Sequence, residues 1–89
     1  MEISEETLKN VSKMGIKLEK PIMLDYWLES KKGQVFIGVK SEEEKLLVKS
    51  EEEFTSPIKK MYNSNKEYII ETENSLYVVS NEIKKKLVK

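Results

Sequence analysis

The chain has 89 residues, 36% of them charged, and its sixteen lysines balance sixteen acidic side chains to a formal net charge of zero. That length fits a single domain over 1–89 with a modest core, and the neutral balance argues against a dedicated nucleic-acid binder, which carries a clear basic excess. Cys, His and Arg are absent, which excludes disulfides, thiolate or imidazole metal sites, histidine acid–base chemistry and guanidinium clamping of phosphate.

Residues 4–14 carry the marks of a helix. Ser4 is placed to cap it, Glu5 and Glu6 complement the positive end of its dipole, and Gly15 is placed to end it. Ile3, Leu8, Val11 and Met14 form its apolar stripe. The expected organisation is α+β and mainly β: a helix within 1–15, an antiparallel meander of five to six strands over 16–80, and a strand or short helix over 81–89. Curled on itself, such a sheet would resemble a small barrel of the SH3 class. The strands are expected near 22–29, 34–40, 45–49, 57–62, 67–73 and 76–80, where apolar alternation is punctuated by turn residues. Pro57 opens its strand, where a missing N–H does least harm.

The segment PIMLDYWLESKKG supports two readings. As a helix it has Pro21 at its first position and Gly33 as its cap. As a strand it pairs with QVFIGVK through a loop at 30–33, setting Trp27 opposite Phe36 and Tyr26 opposite Ile37. The strand is preferred because Ile22, Leu24, Tyr26, Leu28, Val35, Ile37 and Val39 then share one face.

Catalytic motifs are lacking. No Ser-His-Asp or Cys nucleophile arrangement can form, and the three glycines are isolated rather than gathered in a phosphate loop. The Ser-Glu-Glu-Glu runs at 41–44 and 50–53 lack the interleaved Asp and Gly of a calcium loop, so they are read as solvated turns. The expectation is a non-enzymatic protein without cofactor or metal. No apolar run reaches the roughly 20 residues of a membrane span, and the acidic MEISEETLKN lacks the regions of a signal peptide. A soluble, cytoplasmic product is expected.

Two constellations are candidates for binding. In the strand register, Asp25, Trp27, Phe36 and Lys40 share a face with Gly38 opposite Asp25, an aromatic pair flanked by opposite charges. The alternative is that Trp27 and Phe36 are core. In an up-and-down meander the loops at 31–33, 50–56 and 73–75 meet at one end. That would gather Lys31 and Lys32 with Glu51, Glu52, Glu53, Thr55, Ser56 and Asn74. In ETENSLYVVS, an Asn74-Ser75 turn with positive φ at Asn74 would place Thr72 opposite Tyr77.

TSPI followed by EYIIETENSLYVV, within Thr55–Ser80, resembles a Thr-x-Asn-Ser-x-Tyr hairpin of small orphan β-sheet proteins from viruses and bacterial mobile elements. The resemblance implies a small viral or phage accessory protein and carries no activity with it. The many Lys, Ile, Asn, Met and Tyr residues and the absence of Ala fit an AT-rich genome. The expected function is capture of a protein partner, a host or defence protein if the source is viral. Nucleic-acid or nucleotide binding and self-assembly into a homo-oligomer are the alternatives.

Overall fold

The protein's computed structural model describes residues 3–88. Chain order is α1 (Glu5–Leu18), β1 (Ile22–Met23), α2 (Trp27–Lys31), β2 (Phe36–Ser41), β3 (Glu44–Val48), β4 (Ile58–Ser64), β5 (Glu67–Thr72), β6 (Leu76–Ser80) and β7 (Lys84–Leu87). The α+β, mainly β organisation with an N-terminal helix is as expected. The single antiparallel meander is not. The strands divide into a four-stranded sheet, β1-β6-β5-β4, and a three-stranded sheet, β3-β2-β7, both of mixed direction and neither closed into a barrel. Strands adjacent in sequence do form antiparallel hairpins, as in β2–β3, β4–β5 and β5–β6. The parallel pairs β1–β6 and β2–β7 join segments remote in sequence, which local patterning does not reveal.

The four-stranded sheet is the middle layer. Adjacent β5 residues point to opposite faces, so Ile69 joins Val11, Trp27, Leu76 and Val78 beneath α1, while Ile70 joins Tyr26, Val35, Leu47 and Val79 between the sheets. Helix α1 runs four residues beyond its expected end at Met14. Glu19, not Gly15, takes the left-handed conformation (φ 56°), and the Lys20 N–H returns to the Gly15 carbonyl at 3.1 Å, a Schellman closure. Gly15 instead marks the close approach of α1 to β1, because a β-carbon there would lie 3.2 Å from the Ile22 side chain. The buried stripe also differs: Thr7 is fully buried whereas Leu8 is 40% exposed.

Two glutamates on the helix-facing side of β5 hold α1 at both ends. At the start, the Glu67 carboxylate accepts from the Ser4 N–H (3.3 Å), the Ser4 hydroxyl (3.1 Å) and the Thr7 hydroxyl (2.6 Å). Ser4 therefore serves the sheet and makes no side-chain cap of its own helix. Just past the end, Lys20 Nζ lies 2.6 Å from Glu71 Oε2 and donates to the Thr72 carbonyl at 2.7 Å, with both side chains of the ion pair largely buried.

The segment expected as a strand at 22–29 is strand only at its start: pairing stops after Ile22 and Met23, a turn follows, and α2 begins at Trp27. Tyr26 and Trp27 enter the two different clusters on either side of the four-stranded sheet. The Ser30 hydroxyl accepts the Ser80 N–H at 2.9 Å, satisfying a β6 edge group that a longer β1 would have paired. Of the face proposed for a strand, Tyr26, Val35 and Ile37 are buried, but Ile22, Leu24 and Leu28 are exposed.

At the β5–β6 hairpin Glu71 pairs with Leu76 and Ile70 with Tyr77, a register two residues away from the expected one. Thr72 pairs with Ser75 through its N–H (2.9 Å), and its hydroxyl accepts the Ser75 N–H (3.1 Å) and the Asn74 N–H (3.3 Å). That hydroxyl takes the place of a positive φ at Asn74; among the described residues only Glu19, Asn65 and Gly33 have one. The 81–89 tail supplies β7, its described part ending at Val88. No described helix is long and apolar enough to cross a membrane.

The Lys20 hydrogen bond and charge hold the Glu71 carboxyl below the usual range, against the opposing effect of burial. A lowered folded-state value contributes stability that is present above the unfolded value and disappears as pH falls through the folded one. Lys20→Met, which leaves a buried carboxylate unpaired, is expected to cost on the order of 3 kcal/mol at neutral pH. Urea unfolding across the acid range should show that difference shrinking as Glu71 protonates. Burial pushes the Tyr26 hydroxyl up to about 12. The neutral phenol is therefore favoured in the fold, and stability should be full below pH about 10 and fall as pH rises toward 12. Tyrosinate absorbance followed together with circular dichroism should show ionisation of this ring coinciding with unfolding.

Candidate functional site

The expected quartet is divided between distant parts of the molecule. Trp27, only 7% exposed, lies under α1 with Val11, Ile69, Leu76 and Val78. It is core and is not opposite Phe36. Asp25 is exposed in the turn before α2, and its carboxylate makes no hydrogen bond or ion pair among the described residues. Its backbone carbonyl accepts from Lys49 Nζ at 3.2 Å, and the same ammonium stands 5.2 Å from the centre of the Tyr26 ring. Phe36 and Lys40 remain together on the outer face of the three-stranded sheet, the face turned away from the core between the sheets.

That outer face is apolar and open. Phe36 and Gly38 pair with Val48 and Leu46 on β3 and with Lys84 and Lys86 on β7, so all six occupy the same side. Leu46 and Val48 belong to neither core cluster, although both are buried. Phe36, Lys40, Leu46, Val48, Phe54 and Val88, with Ser50 and Glu51 at one end, line a groove of about 740 Å³. A β-carbon at Gly38 would come 2.9 Å from a Val48 methyl and 3.3 Å from Val88, two residues that line the groove. The ammonium of Lys86 stands 4.8 Å above the Phe36 ring.

Phe54 reaches the groove because the chain folds back on β3. Ser50 ends the strand in a tight turn: its hydroxyl accepts from the Glu52 and Glu53 N–H groups, and the Lys49 N–H donates to the Glu53 carbonyl at 2.8 Å. Phe54 then bridges to Val48, and Thr55 exchanges hydrogen bonds with Leu47 through its N–H (2.9 Å) and hydroxyl (3.1 Å). The Ser-Glu-Glu-Glu runs are thus turns capped by their own serine, as the Glu43 N–H to Ser41 hydroxyl contact repeats at 41–44. Among the described residues no group of three or more acidic side chains is gathered as a metal site.

The rim candidates separate too. Glu51 lines the groove, with Glu52 and Glu53 exposed beside it on the turn, while Thr55 is buried beneath β3. Ser56 and Asn74 meet, the Asn74 amide donating to the Ser56 hydroxyl at 3.0 Å. Lys31 and Lys32 do not join them, because α2 docks by Ser30 at Ser80, the end of β6 remote from Asn74. No known protein family, curated protein or solved structure matches this chain. Leu46, Val48, Ser50, Phe54 and Val88 are the groove residues absent from the candidate sets. For Leu46 and Val48 the signal was the unbroken Leu-Leu-Val at 46–48, a strand apolar on both faces, which needs cover on both.

Trp27→Ala is expected to lower stability by about 3–5 kcal/mol, the usual cost of removing a buried large aromatic. Phe54→Ala, at a residue 56% exposed, should change it far less. Denaturant unfolding of the two variants side by side checks the assignment.

Proposed function

We propose that the protein is a non-enzymatic interaction module whose outer-sheet groove receives an apolar side chain from a protein partner. The observation that carries this reading is Phe54, a large aromatic left 56% exposed at the mouth of a groove floored by Leu46 and Val48. Exposed aromatics beside an apolar depression are the usual anchors of protein interfaces. Lys40 and Lys86 on one side and Glu51 on the other give the groove opposite charges at its margins, which orient a partner rather than supply most of the affinity. Should the hairpin resemblance reflect a viral or phage accessory protein, that partner is a host or defence protein. Base stacking is the weaker use of these residues. The Lys86 ammonium already occupies one face of Phe36, leaving Phe54 as the open ring for nucleic acid.

Selection of binders from a random peptide library, followed by titration, tests the proposal. Selected peptides are expected to carry an aromatic or large aliphatic residue and to lose about tenfold or more in affinity to Phe54→Ala. Asp25→Ala, at a residue that does not line the groove, should leave binding unchanged. Peptides that bind Phe54→Ala as tightly as the parent protein, or shift amide resonances only outside β2 and β3, would sink the groove reading.

A further inference from the structure

Strand β7 borders the groove and presents a second feature, its free edge. Among the described residues it pairs only with β2, leaving its other edge unpaired. The Val88 N–H donates to the Val39 carbonyl at 3.0 Å. Because successive backbone groups alternate in direction along a strand, the N–H and C=O of Lys85 and Leu87 point away from β2, toward solvent. The side chains over this edge are three consecutive lysines, all exposed, and Leu87, which is 87% exposed. Lysine on an edge strand ordinarily discourages pairing. A fully exposed leucine among the lysines does the reverse.

We propose that the β7 edge accepts an extended acidic segment of a partner protein as a fourth strand of the β3-β2-β7 sheet. The two faces of β7 specify the segment. Lys84 and Lys86 project on the groove side of the sheet, and Lys85 and Leu87 on the other. An antiparallel incoming strand would hydrogen-bond to Lys85 and Leu87. Its residues opposite Lys84 and Lys86 would then occupy non-hydrogen-bonded positions, where side chains approach most closely. Acidic side chains fit there and an apolar one fits opposite Leu87, so the matching segment alternates acidic and apolar residues. A second copy of this chain is a poor occupant, since two β7 strands paired antiparallel set lysine against lysine, and like charges directly opposed destabilise a sheet.

The test uses two labelled peptides of about eight residues, one alternating Glu with Leu and the other Lys with Leu, long enough to span a short strand. Fluorescence anisotropy should show the acidic peptide binding about tenfold or more tightly, with affinity falling as salt rises. Hydrogen exchange should show the Lys85 and Leu87 amides becoming protected in the complex. The double variant Lys84→Glu, Lys86→Glu alters exposed side chains and should retain its melting behaviour while reversing the preference to the basic peptide. Equal binding of both peptides, or unprotected Lys85 and Leu87 amides, overturns the inference. So does protection of those amides in the protein alone at high concentration, with light scattering reporting a dimer, because the edge then serves self-association. Loss of acidic-peptide binding in Phe54→Ala would place the peptide in the groove, overturning the edge inference while leaving the groove reading intact. The converse, groove binders unaffected by Phe54→Ala with the edge preference intact, removes the groove alone.

Discussion

The structure depends on the two buried carboxylates of β5. Glu67 and Glu71 stand on either side of Ile69 on one face of the central sheet, where an uncompensated carboxylate would be very costly. Each is compensated by α1 or the residues flanking it: Glu67 by Ser4 and Thr7, Glu71 by Lys20. Such pairs add little net stability over a well-packed apolar equivalent, yet a displaced helix would leave both charges buried and unpaired. They therefore fix where the helix lies and in which direction it runs. The sign of each contact also suits the helix, with an anion at its N-terminal end and a cation just beyond its C-terminus.

Placement of α1 determines what the other layers can do. With one face of the central sheet closed by α1 and Trp27, the opposite face is left for the three-stranded sheet, which covers it with Val35, Ile37 and Leu47. Among the described residues no helix or further strand covers the outer face of that second sheet. Leu46, Val48, Phe36 and Val88 instead line an open groove with Phe54 at its margin and the Lys86 ammonium over the Phe36 ring. The groove is thus the residue of a layer count: the chain forms three layers and carries apolar side chains for a fourth contact surface.

Much of this was legible locally, and the failures have two causes: local conformations that the residue types do not signal, and pairing between segments remote in sequence. The strands from Val35 onward were visible because alternation and turn residues are local signals, as was the start of α1 at Ser4, Glu5 and Glu6. The end of α1 was not, because Glu19 adopts a conformation normally signalled by glycine. Thr72 hid the hairpin register in a similar way, its hydroxyl doing the work expected of backbone at Asn74. Tyr26 and Trp27 read as alternating strand residues because they do face opposite sides of a sheet, but that sheet contains β6, remote in sequence. Phe36 and Lys40 belonged to one expected constellation and Glu51 to the other, yet all three line one groove, while Trp27 and Asp25 were joined to Phe36 only by a hairpin that does not form.

The same long-range pairing explains why the outer sheet has an accessible edge. β7 joins β2 in parallel, after the chain has completed β4, β5 and β6 in the other sheet. A parallel partner completes no hairpin with β2, and among the described residues no strand pairs along its far side. Its lysines limit indiscriminate pairing without removing the hydrogen-bonding groups of Lys85 and Leu87. Groove and edge are therefore consequences of one arrangement: a short sheet laid over the core, apolar on its outer face, and bounded on one side by a basic strand.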